Sequence, residues 1–269
     1  MAAAWGRFVC SGTAPLTTAN NFFGRNTSAV NMLGVQESVG DGLRSFYLGH
    51  PDFDSLSRPS YTDMSMGSYG AISYGKTATM LLTLESIVGE PALRNALHTY
   101  FMKYRFTHPT QQDFMHTVNE ATGQDLKWYW DQAVYGTQVL DYEVLRADSD
   151  PIDWYDDNDT EKGETSYETQ IILHRKGDFI FPVVAEIKFD NGETTLERWD
   201  GQDRWVRYVF RKKAKLESVQ IDPGYQVTLD RDYLNNSRVI KPQRAATAKI
   251  TAYWMFLTQF LAQLLSWLA

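Results

Sequence analysis

The sequence predicts an α+β protein, because helical and strand patterns occupy successive parts of the chain. From about Asn31 to Gly136, apolar residues recur near the helical period. After Gly136 the pattern changes to short alternating runs rich in Val, Ile, Tyr and Thr, separated by turn pairs. A charge-free apolar stretch, Ile250 to Ala269, ends the sequence. We therefore expect a helical layer, a small antiparallel β-sandwich and a hydrophobic C-terminal helix.

Four helices are predicted in the first part. One includes the stretch SYGAISYGKTATMLL, residues 68–82, and stops before Pro91, where the next helix begins because proline is tolerated in a first turn. Thr110 with Asp113 three residues later is a variant of the capping box and predicts a third helix start. The fourth, Asp125 to Val134, is rich in aromatic residues.

Seven strands are predicted in the second part, and strands at this spacing favour a small antiparallel sandwich. They are Val139 to Leu145, Tyr167 to His174, Phe179 to Phe189, Thr194 to Trp199, Trp205 to Phe210, Ser218 to Ile221 and Gln226 to Leu229. Turns are expected at Asn191-Gly192, Asp200-Gly201 and Pro223-Gly224, and the first two are strong hairpin signals.

These patterns divide the chain into four parts. They are an irregular N-terminal segment (1–30), a helical part (31–137), a β-sandwich (138–235), and a linker with the hydrophobic helix (236–269). The N-terminal segment has no continuous apolar stretch long enough for a signal peptide, so the compartment stays open. The loop from Asp148 to Glu164 is acidic and predicts a solvated connection.

Composition excludes several classes of function. The formal charge of −7 argues against nucleic-acid binding, because no excess of Lys and Arg exists to neutralise phosphates. Cys10 is the only cysteine, which excludes an intramolecular disulfide and a cysteine metal cluster. The five histidines are scattered, and none forms the H-E-x-x-H pair that presents two imidazoles on one helical face. We therefore predict no metal-binding residue in this chain.

The segment 250–269 is long enough for a helix of roughly 30 Å. Gln259, Gln263 and Ser266 give its second half a polar stripe, and three basic residues precede it. Two interpretations stay open: membrane contact, by lying on the surface more readily than by spanning, or packing on the body of the protein or on a partner.

The helix that contains residues 68–82 carries two tyrosines and a lysine among apolar residues. On composition alone, Tyr69 and Tyr74 are core residues with hydroxyls at a rim, and Lys76 is a surface residue with a buried stem.

The order of motifs adds context to this helix. Tyr74, Gly75 and Lys76 are followed by GEPALRNALHTYFMKYRFTHPTQQDF and then by LKWYWDQAVYGTQVLDYEV. This order resembles the zinc aminopeptidase family that includes membrane alanyl aminopeptidase and leukotriene hydrolase. The resemblance covers roughly Met32 to Arg238, although Thr77 and Ala133 replace the residues usual in the family.

The resemblance implies a fold and a mechanism. It implies that residues 31–137 are the helical half of a thermolysin-like catalytic domain. In the family, zinc polarises the peptide carbonyl and the tyrosine of the Tyr-x-Lys motif donates a hydrogen bond to the oxyanion. Tyr74 is the residue that matches this catalytic tyrosine, and Tyr69 is expected to line the substrate-binding cleft.

The chain departs from the family because it lacks the H-E-x-x-H motif. Zinc is therefore the family's cofactor, but we expect none to bind to this chain alone. The leading hypothesis is the C-terminal portion of a zinc aminopeptidase-like protein, inactive alone against peptides. Two alternatives stay open: half of a split metallopeptidase whose partner polypeptide carries the zinc-binding half, or a non-catalytic membrane-associated binding or scaffold module.

Overall fold

The computed structural model describes residues 28–32, 35–152, 166–240 and 244–268. Most of the predicted irregular segment and most of the acidic loop lie outside these ranges. The first described elements are β1 (Ser28–Met32) and β2 (Val35–Ser38), an antiparallel hairpin that the sequence analysis did not predict. Residues 33–34 between the strands are Leu-Gly, which is not a strong hairpin pair.

Helices follow the hairpin as far as residue 135. They are α1 (Val39–Leu48), α2 (Met66–Gly70), α3 (Thr77–Val88), α4 (Glu90–Tyr104), α5 (Gln111–Thr122) and α6 (Lys127–Trp130). A short 3-10 turn, Ser60–Thr62, precedes α2. The predicted starts of α4 and α5 are confirmed: Pro91 lies in the first turn of α4, and Thr110 and Asp113 form a complete capping box.

Two π-helical segments interrupt this layer. Ala71–Lys76 joins α2 to α3 in one continuous rod, and Asp131–Tyr135 continues α6. A π-helix adds a residue per hydrogen-bonded turn and is frequent at functional sites. The segment Ala71–Lys76 contains Tyr74, the predicted catalytic residue.

The β-sandwich consists of two antiparallel sheets. One has the order β3-β4-β7, with strands Tyr142–Pro151, Tyr167–Arg175 and Trp205–Lys212. The other has the order β6-β5-β8-β9, with strands Thr194–Trp199, Val183–Phe189, Leu216–Ile221 and Ser237–Val239. The rings of Phe189 and Phe210 meet between the sheets, with centroids 5.9 Å apart. The predicted α+β class is confirmed.

Two strand predictions were wrong in detail. Asp200-Gly201 does not close a hairpin, because β6 and β7 belong to different sheets and the chain crosses between them. A Cβ at Gly201 would collide with the Tyr142 hydroxyl and the Phe181 carbonyl. Gln226 to Leu229 is not a strand, because its polar groups bond to helix α3.

One core joins the helical layer to the sandwich. Tyr129 on α6 is fully buried, lies against the rings of Phe179 and Phe181, and donates from its hydroxyl to the Met80 carbonyl at 2.7 Å. The side-chain amide of Gln132 donates to the Ile180 carbonyl at 3.2 Å and accepts from the Ile180 nitrogen at 2.7 Å. These contacts hold the helix that carries Tyr74 in a fixed position relative to the sheets.

The predicted C-terminal helix is α7 (Arg244–Leu268). Every side chain from Ile250 to Ser266 is exposed, so this part of the helix does not fold back onto the body of the protein. Within the described ranges, no helix combines the length and the apolar character needed to cross a bilayer.

Candidate functional site

Tyr74 and Tyr69 lie together at the surface of the rod formed by α2, the π segment and α3. Tyr74 is 40% exposed and Tyr69 is half-buried. Their rings meet edge to face, with centroids 6.2 Å apart and an interplanar angle of 88°. A hydrogen bond between the two hydroxyls, followed by the electrostatic effect of Tyr74, raises the pKa of Tyr69. The phenol of Tyr69 therefore remains a neutral donor at neutral pH.

Lys76 is buried two residues after Tyr74, with only 1% of its surface exposed. Its Nζ donates to the Gly136 carbonyl at 3.1 Å, at the entry to the sandwich. Burial lowers its pKa to about 8, because the charged ammonium loses solvation. The interpretation of Lys76 as a surface residue was wrong, since its side chain points into the junction between the helical layer and the sheets.

Gly75 lets the π segment approach α1 closely. A Cβ at this position would lie 2.8 Å from the Tyr47 nitrogen and 3.0 Å from the Leu43 carbonyl oxygen, both backbone atoms of α1. Only a residue without a side chain fits this contact. The backbone on either side of Tyr74 and Lys76 is therefore held by α1.

The beginning of α2 is fixed by a buried carboxylate. Asp54 is 1% exposed and accepts hydrogen bonds from the Ser68 hydroxyl and from the Met64 nitrogen, the latter at 3.0 Å. Arg58 forms an ion pair with the same carboxylate. Ser65 caps α2 by accepting from the Ser68 nitrogen at 3.0 Å. This network orients the first turn of the helix that carries Tyr69.

A cavity of about 470 Å³ adjoins the tyrosine pair. Its lining includes Ser57, Ser60, Tyr69, Ser73 and Gln111. The Gln111 side chain donates to the Ser57 hydroxyl at 2.8 Å, which ties α5 to this wall. The lining is rich in hydroxyl and amide groups, which can bond to the carbonyl and N–H groups of a peptide.

Zinc, the cofactor that the resemblance implies, would need ligands among the side chains that surround this site. Across the described ranges, no group of three or more His, Cys, Asp or Glu side chains is arranged to hold a metal ion. A catalytic zinc needs three protein ligands with one open position. The described residues therefore do not fit a zinc site with three protein ligands.

A sequence model of the peptidase family M1 domain matches residues 54–133, which include the tyrosine pair, Lys76 and the cavity wall. This stretch, called the M1 segment below, is similar to part of the peptidase family M1 domain. The resemblance to zinc aminopeptidases predicted from the motif order is thereby confirmed for this region.

The chain has a curated relative over part of its length. It is similar to "Probable aminopeptidase 1" of Sulfurisphaera tokodaii, with 36% identity over 55 residues, or 20% of this chain and 7% of the relative. Among solved structures, aminopeptidase A of Legionella pneumophila in complex with aspartic acid matches with a TM-score of 0.42 and 12% identity, over 68% of this chain and 20% of that chain. The chain therefore spans 7% of the length of the curated relative and 20% of that of the solved structure, well under two thirds in both cases.

The structure brings the two predicted site residues of the M1 segment into contact. The proposed roles of Tyr74 in catalysis and Tyr69 in substrate binding stay predictions. Sequence reasoning missed the burial of Lys76 and the cavity beside Tyr69. Gly75 was the available signal for the first, because a glycine inside an apolar helix often marks a close backbone approach.

Proposed function

We propose that this chain supplies one wall of a peptidase active site, with Tyr74 as the donor to the oxyanion of peptide hydrolysis. When a peptide carbonyl is attacked, its oxygen gains negative charge. A neutral phenol can donate a hydrogen bond to that oxygen, and such a donor assists only as the charge develops. The observation that carries the proposal is the exposed side chain of Tyr74, in edge-to-face contact with the ring of Tyr69, within the M1 segment.

Tyr69 is proposed to orient Tyr74 and to line the path of the substrate. It contacts Tyr74 on one side and the 470 Å³ cavity on the other. A peptide in this cavity would meet Ser57, Ser73 and Gln111, whose polar groups suit main-chain hydrogen bonds. The cavity thus supports a peptide as the substrate class.

The proposal includes inactivity of the chain alone, because it contains no H-E-x-x-H motif and the described residues hold no cluster of metal ligands. A separate polypeptide that carries the zinc-binding half is the proposed partner. Exposed apolar side chains near the tyrosine pair support such a partner, namely Phe46 (48%), Tyr61 (88%), Met64 (69%) and Met66 (83%). Apolar surface of this kind is typical of interaction sites.

Complementation tests the proposal. The chain is purified from its native source together with any bound polypeptide, and hydrolysis of an aminoacyl-nitroanilide is measured with zinc. We expect turnover by the complex and none by the chain alone. Tyr74→Phe should lower kcat of the complex by roughly a hundredfold or more, because the oxyanion donor is lost.

Tyr225→Phe is the matched control. It removes the hydroxyl of another exposed tyrosine, in the loop after β8, and should leave kcat unchanged. Turnover by the isolated chain that a chelator and Tyr74→Phe both abolish would show that the chain is active alone. Equal kcat for Tyr74→Phe and wild-type complexes would remove Tyr74 from the mechanism.

A further inference from the structure

Helix α7 exposes an extensive apolar surface. Its large apolar side chains between Ile250 and Leu265 are 40–66% exposed, including Trp254 at 63% and Leu265 at 65%. Monomeric soluble proteins rarely leave a continuous apolar patch of more than a few hundred Å² uncovered. Some other surface therefore covers this helix in the working protein.

Most of the large apolar residues of α7 lie on one side. At 3.6 residues per turn, eight of them fall within an arc of about 140°. They are Ile250, Tyr253, Trp254, Leu257, Phe260, Leu261, Leu264 and Leu265. The rest of the helix surface carries small and uncharged polar residues, namely Thr251, Thr258, Gln259, Gln263 and Ser266, together with Met255, Phe256 and two alanines.

We infer that α7 lies flat on an anionic lipid surface, with this apolar arc immersed among the acyl chains. The arc is wider than the narrow seam of a two-helix coiled coil, and its borders lack the charged pairs that select a helical protein partner. Trp and Tyr side chains in the arc suit the boundary between headgroups and hydrocarbon. The helix is therefore better suited to a bilayer surface than to a second protein helix.

The charge of the residues around α7 indicates that the lipids it binds are anionic. After Arg238 the sequence has three basic residues, Lys241, Arg244 and Lys249, and no acidic residue, whereas the whole chain carries −7. The basic residues all precede the apolar arc, as expected where a helix docks on negative headgroups. The acidic body is repelled by the same surface, so the terminal segment is the part that docks.

Vesicle flotation with the full-length chain tests the inference. We expect binding to vesicles of phosphatidylcholine mixed with phosphatidylglycerol, weaker binding to phosphatidylcholine alone, and weakening by salt on the mixed vesicles. The triple variant Trp254→Gln, Leu257→Gln, Leu261→Gln should lose at least about a hundredfold in partitioning, because three apolar side chains no longer leave water.

The matched control is Thr251→Gln, Thr258→Gln, Ser266→Gln, which makes the same number of changes outside the apolar arc and should bind as wild type. Circular dichroism melting of both variants checks that the body stays folded. Equal vesicle binding by the two triple variants would overturn the inference. The inference would also be overturned if the wild type did not bind vesicles and instead formed dimers that the apolar-arc variant could not form. That result would assign the arc to a second copy of the chain.

Discussion

Lys76 Nζ donates to the Gly136 carbonyl across 3.1 Å and so joins the helix that carries Tyr74 to the end of the helical layer, ahead of the first strand of the sandwich. The lysine is buried, and this contact ends in a backbone carbonyl that cannot neutralise an ammonium. Burial accordingly lowers its pKa from 10.5 to about 8. The junction between the two layers is therefore sensitive to pH.

Lys76→Met should change the pH dependence of stability. In the wild type, the folded lysine loses its proton near pH 8 and the unfolded lysine near 10.5, so the free energy of unfolding should rise between these values. The rise is roughly 3 kcal/mol, at about 1.4 kcal/mol per pKa unit. The variant should lack it. Urea unfolding from pH 7 to 10.5 measures the difference.

Lys188→Met is the control for this measurement, because Lys188 is an exposed lysine on β5. Its profile should run parallel to that of the wild type. If the Lys76→Met profile also runs parallel to that of the wild type, folding does not lower the pKa of the buried lysine.

Asp230→Asn should remove a pH dependence of the opposite sign. Burial is the main cause that raises the Asp230 pKa from 3.8 to about 7, although the Asn236 amide donates to it at 2.9 Å. The contribution of Asp230 to the wild-type free energy of unfolding should be greatest below pH 4 and fall by roughly 4 kcal/mol as pH rises to 7, because the folded state resists ionisation of this carboxyl. Urea unfolding of the variant should show no such fall.

Asp232→Asn provides the comparison for Asp230. Asp232 accepts from the Leu234 nitrogen at 2.9 Å, and an asparagine oxygen can accept the same bond. Its stability profile between pH 4 and 7 should match the wild type. If the stability of Asp230→Asn falls between pH 4 and 7 as much as that of the wild type, a group other than Asp230 causes the pH dependence.

Thr83→Val should weaken the contact between α3 and the segment after β8. The Thr83 hydroxyl is fully buried and accepts from the Leu229 nitrogen at 3.0 Å. Valine preserves shape but leaves this N–H without its acceptor, which costs about 1–3 kcal/mol. Equilibrium urea unfolding at constant pH measures the loss.

Thr77→Val is the matched control for Thr83. Thr77 is also fully buried on α3, but its hydroxyl donates within its own rod, to the Ile72 carbonyl at 3.4 Å. The expected loss is smaller, since removing a hydroxyl donor leaves no N–H unpaired. A loss for Thr77→Val as large as that for Thr83→Val would argue against a special role for the Leu229 contact.

Local signals predicted the elements better than they predicted the junctions. Thr110 and Asn191-Gly192 were read correctly, because a capping box and a hairpin turn depend on a few neighbouring residues. Asp200-Gly201 was misread, since the sheet that each flanking strand joins is decided by distant pairing. The segment before Asp230 was misread for a related reason, because its polar groups bond to a helix about 145 residues earlier.

The same contrast applies to the candidate site. Tyr74 and Tyr69 were identifiable from the motif. An α-helix would place residues five apart about 140° from each other around its axis, and it is the π segment that brings the two rings together. The π geometry and the burial of Lys76 were not predictable, because each depends on how closely α1 and Gly136 approach the rod. Three-dimensional contacts, rather than helical periodicity, decide which side of the rod is buried.

Gly75→Ala tests how far this close approach controls the tyrosine pair. The added methyl would press on the backbone at Tyr47 and Leu43, which cannot rotate away as a side chain can. We expect a loss of about 1–3 kcal/mol in the free energy of unfolding, typical of overpacking. Gly49→Ala, whose Cβ would lie an ordinary 3.5 Å from the Phe46 carbonyl oxygen, should cost less. Because Gly75 adjoins Tyr74, the backbone shift that the added methyl causes should also loosen the contact between Tyr69 and Tyr74. A spectrophotometric titration would show this as a lower pKa for Tyr69, since Tyr74 raises that pKa in the wild type. Unchanged stability and an unchanged titration would show that α1 does not constrain the site.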